Sequence, residues 1–388
     1  MSKIHTHLES FKKWRSRIIL YFGFLFLCEL IQAYVNKQNE FIYGDFYTVS
    51  TDANALPFAL LLATLTTLLS YFVVSKLSSK ASPKIAINIS FTIIAIFLVN
   101  LFIVLLTNIG VVNGEISYGY LFILMAIVPI GYLITICYFG EQSNFRLLFV
   151  SLIYIVIGLY QTFLGPIFHV LFLSFLRANK KRWFFLSIII PIIVLAPILI
   201  KYKFEARGQT NEDLDDLLVI STLFTGRLTT VSTFQYALEQ PEEIAKFCDS
   251  GEYQNVFVAA MAPIFPRDII GIQKLKTFNN CLIEYRLQRD VDNYSVNSPW
   301  FLNVYLLWMQ SVSMMIIYVI FTLALVVSLI VLSNYLFGYN SIIFLTSTIP
   351  GFLVSGNVAY LVIPIYFLIL MVFYNRLKKT HLYNWNLK

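Results

Sequence analysis

The chain has 388 residues, of which 58% are hydrophobic and only 13% charged; soluble domains carry about 25% charged residues. With a mean hydropathy of +0.74 and apolar runs of about 20 residues, the length that crosses a bilayer's hydrocarbon, an ordinary soluble domain is excluded. The net charge of +7 does not point to nucleic acid, because its distribution explains it. Outside residues 201–300, every Lys and Arg except Lys37 falls in a segment expected on the cytoplasmic side, the bias that orients membrane helices.

In chain order, the tail with Lys3, Lys12, Lys13, Arg15 and Arg17 is expected inside, and span 1 covers about Ile18–Tyr34. This apolar run lacks a small-residue cleavage site and reads as a span rather than a cleaved leader. The loop NKQNEFIYGDFYTVSTDAN follows outside. Span 2 is about Ala55–Lys76, with Lys80 and Lys84 inside. Span 3 is about Ile85–Thr107, NIGVVNGEISYG lies outside, and span 4 is about Tyr120–Phe139. Leu147–Leu176 is apolar throughout, but Gly158, Gln161, Thr162, Gly165 and Pro166 cluster in its middle. Gly and Pro turn a chain, so a hairpin of two short helices is expected, returning Arg177, Lys180, Lys181 and Arg182 to the inside. Span 7 is about Trp183–Tyr202. Spans 8, 9 and 10 are about Asn303–Leu332, Ser341–Ser355 and Val358–Tyr374, before a basic tail.

The expected architecture is therefore all-α and polytopic, with about ten transmembrane helices and both termini inside. Residues 1–202 form an N-terminal bundle, 203–300 a large helical extracytoplasmic loop, and 301–388 the last three spans and tail. Within the loop, DLDDLLVISTLF and RLTTVSTFQYALEQ place apolar residues at helical spacing. Pro241 with Glu242 and Glu243 is a further helix start. Cys28 and Cys137 sit in apolar spans as packing residues. Cys248 and Cys281 lie in the loop, where an oxidising compartment would permit a disulfide, although spacing alone does not bring the two sulfurs together. No Cys/His spacing suits a metal.

Residues 201–300 hold ten basic residues (Lys201, Lys203, Arg207, Arg227, Lys246, Arg267, Lys274, Lys276, Arg286 and Arg289) against 14 acids, a net charge of −4. Such a mixture suits a site that grips a phosphorylated ligand and also needs a carboxylate; it equally describes a solvated face with surface ion pairs. Arg offers a planar fork for phosphate. PIFPRDIIGIQKLK (263–276) brackets an apolar pair with prolines ahead of Arg267, Asp268, Lys274 and Lys276, a stiff turn able to present cations. Arg227 follows Gly226 at the expected start of an amphipathic helix, where free N–H groups favour an anion. Arg227 and Arg267 are the leading diphosphate-binding residues, followed by Arg207, Lys274 and Arg289. Glu284, Asp268 and Asp292 are the carboxylates that could take a proton. Glu29 lies inside span 1, where an acid is either functional, or reaches the outer interface or a loop arginine. His169, in the hairpin, reads first as a hydrogen-bonded packing residue.

The layout resembles that of the Wzy-type oligosaccharide repeat-unit polymerases, in the O-antigen polymerase and ligase group of GT-C-like, lipid-linked glycosyltransferases. It does so in topology along the whole chain and locally in GRLTTVSTFQYAL (226–238), PIFPRDIIGIQK (263–274) and SVNSPWFLNVYLLWMQ (295–310). The chain departs from the family pattern in carrying Gln161 and Thr162 where the mid-chain turn often has Arg, and in lacking glycines early in span 8 and a loop histidine. The resemblance implies an enzyme of lipopolysaccharide-type polysaccharide biosynthesis in a bacterial inner membrane. It would transfer a growing glycan from undecaprenyl diphosphate to a new lipid-linked repeat unit, with no cofactor, metal or nucleic acid. The implied partners are the lipid-linked oligosaccharide, membrane lipid and, as a further candidate, a chain-length regulator protein. An O-antigen ligase, or a transporter or flippase for polysaccharide precursors, remains the alternative.

Overall fold

The computed structural model describes residues 2–37, 40–43, 47–50, 53–78, 81, 83–84, 89–108, 129–138, 144–161, 165–177, 198, 229–249, 278–287 and 297–385. Span 7 apart from Ile198, the first half of span 4, and the segments 214–225 and 263–276 lie outside these residues.

The described chain is an α-helical membrane protein by composition and length of its helices. It runs α1 (Ser2–Asn36), a small antiparallel hairpin of β1 (Glu40–Tyr43) and β2 (Tyr47–Ser50), then α2 (Leu56–Leu77) and α3 (Phe91–Thr107). Next come α4 (Ile130–Cys137), α5 (Asn144–Tyr160) and α6 (Gly165–Arg177). Three short helices follow, α7 (Val231–Glu239), α8 (Pro241–Cys248) and α9 (Phe278–Leu287). The chain ends in α10 (Trp300–Gln310), α11 (Val312–Phe337), α12 (Ser341–Ser355) and α13 (Ala359–Trp385). Among the described residues, four apolar helical stretches are long enough to cross a membrane: Ser16–Asn36, Leu56–Leu77, Val312–Ser355 and Ala359–Arg376. Polar side chains within these stretches bond back to their own helix, as Thr66 does to the Leu62 carbonyl, Ser70 to Thr66 and Thr346 to Ile342.

One end of the bundle gathers basic residues. Arg17 donates to the Phe175 carbonyl (3.2 Å) and to that of Leu176 at the end of α6. Arg177 donates to the Tyr138 carbonyl (3.4 Å) after α4, and Arg146 to Ile89 (3.0 Å) before α3. Lys84 sits 3.5 Å from the centroid of the Tyr335 ring near the end of α11. Cations over the last carbonyls of helices complement the helix dipole. Arg17 and Arg177 share this end, so α5 and α6 fold as the expected hairpin. Tyr138 Oη bridges it, meeting Ser151 Oγ (3.0 Å) and Ser174 Oγ (3.2 Å).

Depth along the bundle can be read from hydrogen bonds and the helical rise. Asn334 donates to the Leu77 carbonyl (2.7 Å), so α2 and α11 reach the basic end together. The 22 residues of α2 rise about 33 Å, a full crossing of about 30 Å of hydrocarbon. The 15 residues of α12 rise only about 22 Å. Its start is pinned at the basic end, where Tyr339 N–H meets the Ala81 carbonyl (2.7 Å), so its far end at Gly356 stops short. The Gly356 carbonyl accordingly accepts from Tyr318 (3.2 Å), 16 residues above Asn334 and about 24 Å along α11. α12 is the central helix, buried on nearly every side from Ser341 to Ser355.

The space above Gly356 is filled by α10, which corrects the expectation of one long span over Asn303–Leu332. The helix breaks at Ser311, whose backbone is extended, and the chain turns back on itself. Trp300 Nε1 donates to Thr322 Oγ1 (3.1 Å), and Asn303 Nδ2 to Tyr318 Oη (3.4 Å), so α10 lies antiparallel along the first half of α11. Non-helical backbone at this depth persists only where protein covers it. Here Asn303 Nδ2 reaches the Gly356 carbonyl (3.5 Å), and Ser298 Oγ donates to Asn303 Oδ1.

Gly356 ends α12 in the left-handed region (φ +60°), and a Cβ there would collide with the Asn303 side chain and the Ser298 carbonyl. Both effects oppose any larger residue. Gly356→Ala is expected to cost at least about 1–2 kcal/mol from the backbone conformation alone. A thermal melt of the detergent-solubilised protein checks this; an unchanged melting temperature would show that the hinge has room to give.

Candidate functional site

The end opposite the basic one carries a helical cap. Its second apolar core joins bundle residues Ala33, Ala59, Ala63, Tyr318 and Val358 to Val231, Phe234 and Ala237 of α7, Ile244 of α8, Phe278 and Leu282 of α9, and Leu302 and Leu306 of α10. Residues 229–249 and 278–287 are thus folded onto the bundle.

The polar seam of this junction starts from Glu29, buried at 2% exposure on α1. Its Oε1 accepts from Thr230 N–H (2.8 Å) and Thr230 Oγ1 (3.0 Å), and its Oε2 from Thr230 N–H (3.1 Å) and Val231 N–H (3.1 Å). A side chain 201 positions away therefore caps α7, whose own N-cap Thr230 makes no side-chain cap bond. The remaining polar groups continue the seam at helical spacing along α1. Gln32 Nε2 donates to Asn36 Oδ1 (2.9 Å), and Asn36 Nδ2 to Ser232 Oγ (3.0 Å) and Gln235 Oε1 (3.0 Å). The sequence left Glu29 a functional role, the outer interface or a loop arginine; its partners are backbone N–H groups and the Thr230 hydroxyl. The expected start of this helix shifts as well, while Arg227 itself lies outside the described residues. The helix begins at Val231, four residues later, and the N–H groups at its start are occupied by Glu29 rather than open to a phosphate.

The cap is closed covalently. Cys248, last in α8, and Cys281 of α9 form a disulfide with Cα atoms 5.8 Å apart. Spacing had left this pairing open. Pro241 occupies the first turn of α8 with Glu242 and Glu243 beside it, as expected. Tyr285 of α9 donates to Glu243 (2.7 Å) and to Gln240 (3.0 Å). Desolvation, then the bond to Glu243, pushes its phenol up to about 12, so it stays protonated as a structural donor. On the other side of the cap, Gln310 donates to the Ala245 carbonyl (2.6 Å), tying α10 to α8.

Of the eight residues singled out for catalysis or diphosphate binding, the structure describes Glu284. It lies in α9 three residues after Cys281, buried at 1% exposure and engaged with a partner. Asp268, Asp292, Arg207, Arg227, Arg267, Lys274 and Arg289 lie outside the described residues. His169 is a bonded packing residue: its Nε2 meets Thr135 Oγ1 (3.0 Å) and its Nδ1 meets Tyr154 Oη (3.3 Å). Cys28 and Cys137 are buried and free. Among the described residues, no group of three or more His, Cys, Asp or Glu is placed to hold a metal. No protein-family model, curated protein or solved structure matches the chain.

A disulfide closing a loop with a sequence separation of 33 stabilises a fold by about 3–4 kcal/mol in the chain-entropy account. Mass spectrometry of protein purified without reductant should find Cys248 and Cys281 joined. The double variant Cys248→Ser/Cys281→Ser should unfold at lower temperature by a corresponding margin. Two free thiols, or an unchanged melt, would contradict the pairing.

Proposed function

We propose that this chain is an inner-membrane glycosyltransferase that polymerises undecaprenyl-diphosphate-linked oligosaccharide repeat units at the extracytoplasmic face. The observation that supports this reading is the stapled helical cap, folded on the end of the bundle opposite the basic cluster and bearing the buried carboxylate Glu284. In this reading the basic end with Arg17, Lys84, Arg146 and Arg177 faces the cytoplasm, as the positive-inside rule directs. Both termini lie there, about ten helices cross the membrane, and the loop of residues 203–300 faces outward. A disulfide belongs on that oxidising side. The resemblance to Wzy-type polymerases supplies the reaction class.

The chemistry then asks little of a cofactor. The bond between the anomeric carbon of the growing glycan and its phosphate oxygen breaks, and a bond forms to a hydroxyl of the incoming repeat unit. Undecaprenyl diphosphate leaves with the electron pair. The acceptor proton passes to a carboxylate, for which Glu284, Asp268 and Asp292 are the candidates. Arg227 and Arg267, with Arg207, Lys274 and Arg289, neutralise the diphosphate as its charge develops and hold it in line. Bidentate geometry makes Arg the fitting residue, and Lys a partial substitute.

Arg227→Ala and Arg267→Ala should each abolish long glycan chains while the protein still inserts, and Arg→Lys should restore them only in part. A solvated surface ion pair would be worth about 0–1 kcal/mol, and its loss would leave chain length nearly unchanged. The assay is a gel of polysaccharide from cells lacking the native gene, alongside an immunoblot for the protein. Normal long chains from both alanine variants would overturn this assignment.

A further inference from the structure

α10 carries an aromatic surface whose depth can be fixed. Two bonds between α10 and α11, Trp300 to Thr322 and Asn303 to Tyr318, set the antiparallel register. Continued along α10, that register puts Trp308 level with Ser313 and Met314. These lie 20–21 residues from Asn334, which meets the Leu77 carbonyl at the basic end. At 1.5 Å per residue that is about 30 Å, the full thickness of a bilayer's hydrocarbon. Trp308 is 55% exposed, and its ring lies 6.0 Å from that of Tyr305, one turn deeper. Below them α11 presents Ile320, Leu323, Val327 and Val331 to the outside, an apolar stripe that continues toward the basic end. An exposed indole directly above a lipid-facing stripe, at the depth where hydrocarbon gives way to headgroups, has one fitting occupant. Trp and Tyr concentrate at that layer because an apolar ring and a polar N–H or O–H are satisfied there together.

We propose that the Trp308–Tyr305 face of α10 docks on the headgroup layer of the leaflet on the cap side of the membrane. It thereby fixes the height of the helical cap, since Gln310 of the same helix is bonded to α8. The surface is independent of the reaction assigned to the loop.

The full chain, labelled with 5-fluorotryptophan and reconstituted in phospholipid nanodiscs, gives one 19F resonance for each of its five tryptophans. Loss of a single resonance in Trp308→Phe assigns Trp308, and Trp308→Tyr repeats the assignment should the first variant fold poorly. A headgroup-labelled nitroxide lipid should broaden this resonance more than a lipid labelled deep in its acyl chain, and more than a water-soluble gadolinium chelate. Strongest broadening by the chelate would place Trp308 in water. Strongest broadening by the deep label would place it in the hydrocarbon, and no broadening by any of the three would mean that protein covers it. Each of these outcomes overturns the proposal.

Discussion

A buried carboxylate on α1 fastens the cap to the bundle. Charge is costly to bury unless it is hydrogen-bonded, and Glu29 meets that condition with bonds drawn from the first residues of α7. The arrangement satisfies two demands at once. The helix start has N–H groups without intrahelical acceptors, and a negative charge beside them is favoured by the dipole. Either partner alone would be a buried unsatisfied group. Together they fix where α7 begins, and Asn36 and Gln235 extend the same seam one helix turn at a time. The apolar contacts of Ala33, Val231 and Phe234 then have a defined register.

The second constraint is the length of α12. A helix of 15 residues cannot cross the about 30 Å of hydrocarbon that its neighbours cross, so the bundle has a recess at the cap end. α10 fills it by turning back at Ser311, and its bonds to Thr322, Tyr318 and Gly356 leave the interrupted backbone covered. α10 is also the element that meets α8 through Gln310. The disulfide carries the connection on to α9 and hence to Glu284. The cap is thus held at three points, by a capped helix, a filled recess and a covalent staple, all at the end away from the basic cluster.

Much of the helical framework was legible in the sequence because its signals are local. Ser341–Ser355 is bounded as expected, and the hairpin of α5 and α6 follows from the Gly, Gln, Thr and Pro in its middle. Pro241 with two acids marked the start of α8. The break at Ser311 was not legible, because Gln310, Ser311 and Ser313 only briefly interrupt an apolar run in which no Gly or Pro marks a turn. Its cause is tertiary: the side chains of Trp300 and Asn303 find partners only when α10 folds against α11. The partner of Glu29 was hidden for a related reason. An acid in an apolar helix announces a partner, but a backbone N–H 201 positions away leaves no residue type to look for. The start of α7 was misplaced at Arg227 because a polar run resembles a helix start, whereas the cap comes from another element. The residues proposed for the diphosphate remain a reading of the sequence, resting on residue type and on the stiffness of the proline turn at 263–267.

Amide hydrogen exchange of residues 229–239 tests whether Glu29 holds α7 to the bundle. In the unaltered protein the Thr230 and Val231 amides should be protected as strongly as those of α2. In Glu29→Ala, leaving those buried donors unpaired should lower the cost of local opening by about 1–3 kcal/mol. Exchange there should then quicken by about 5-fold to 150-fold, each 1.4 kcal/mol being a factor of ten, while α2 and α12 keep their protection. Unchanged exchange across 229–239 in Glu29→Ala would contradict the account.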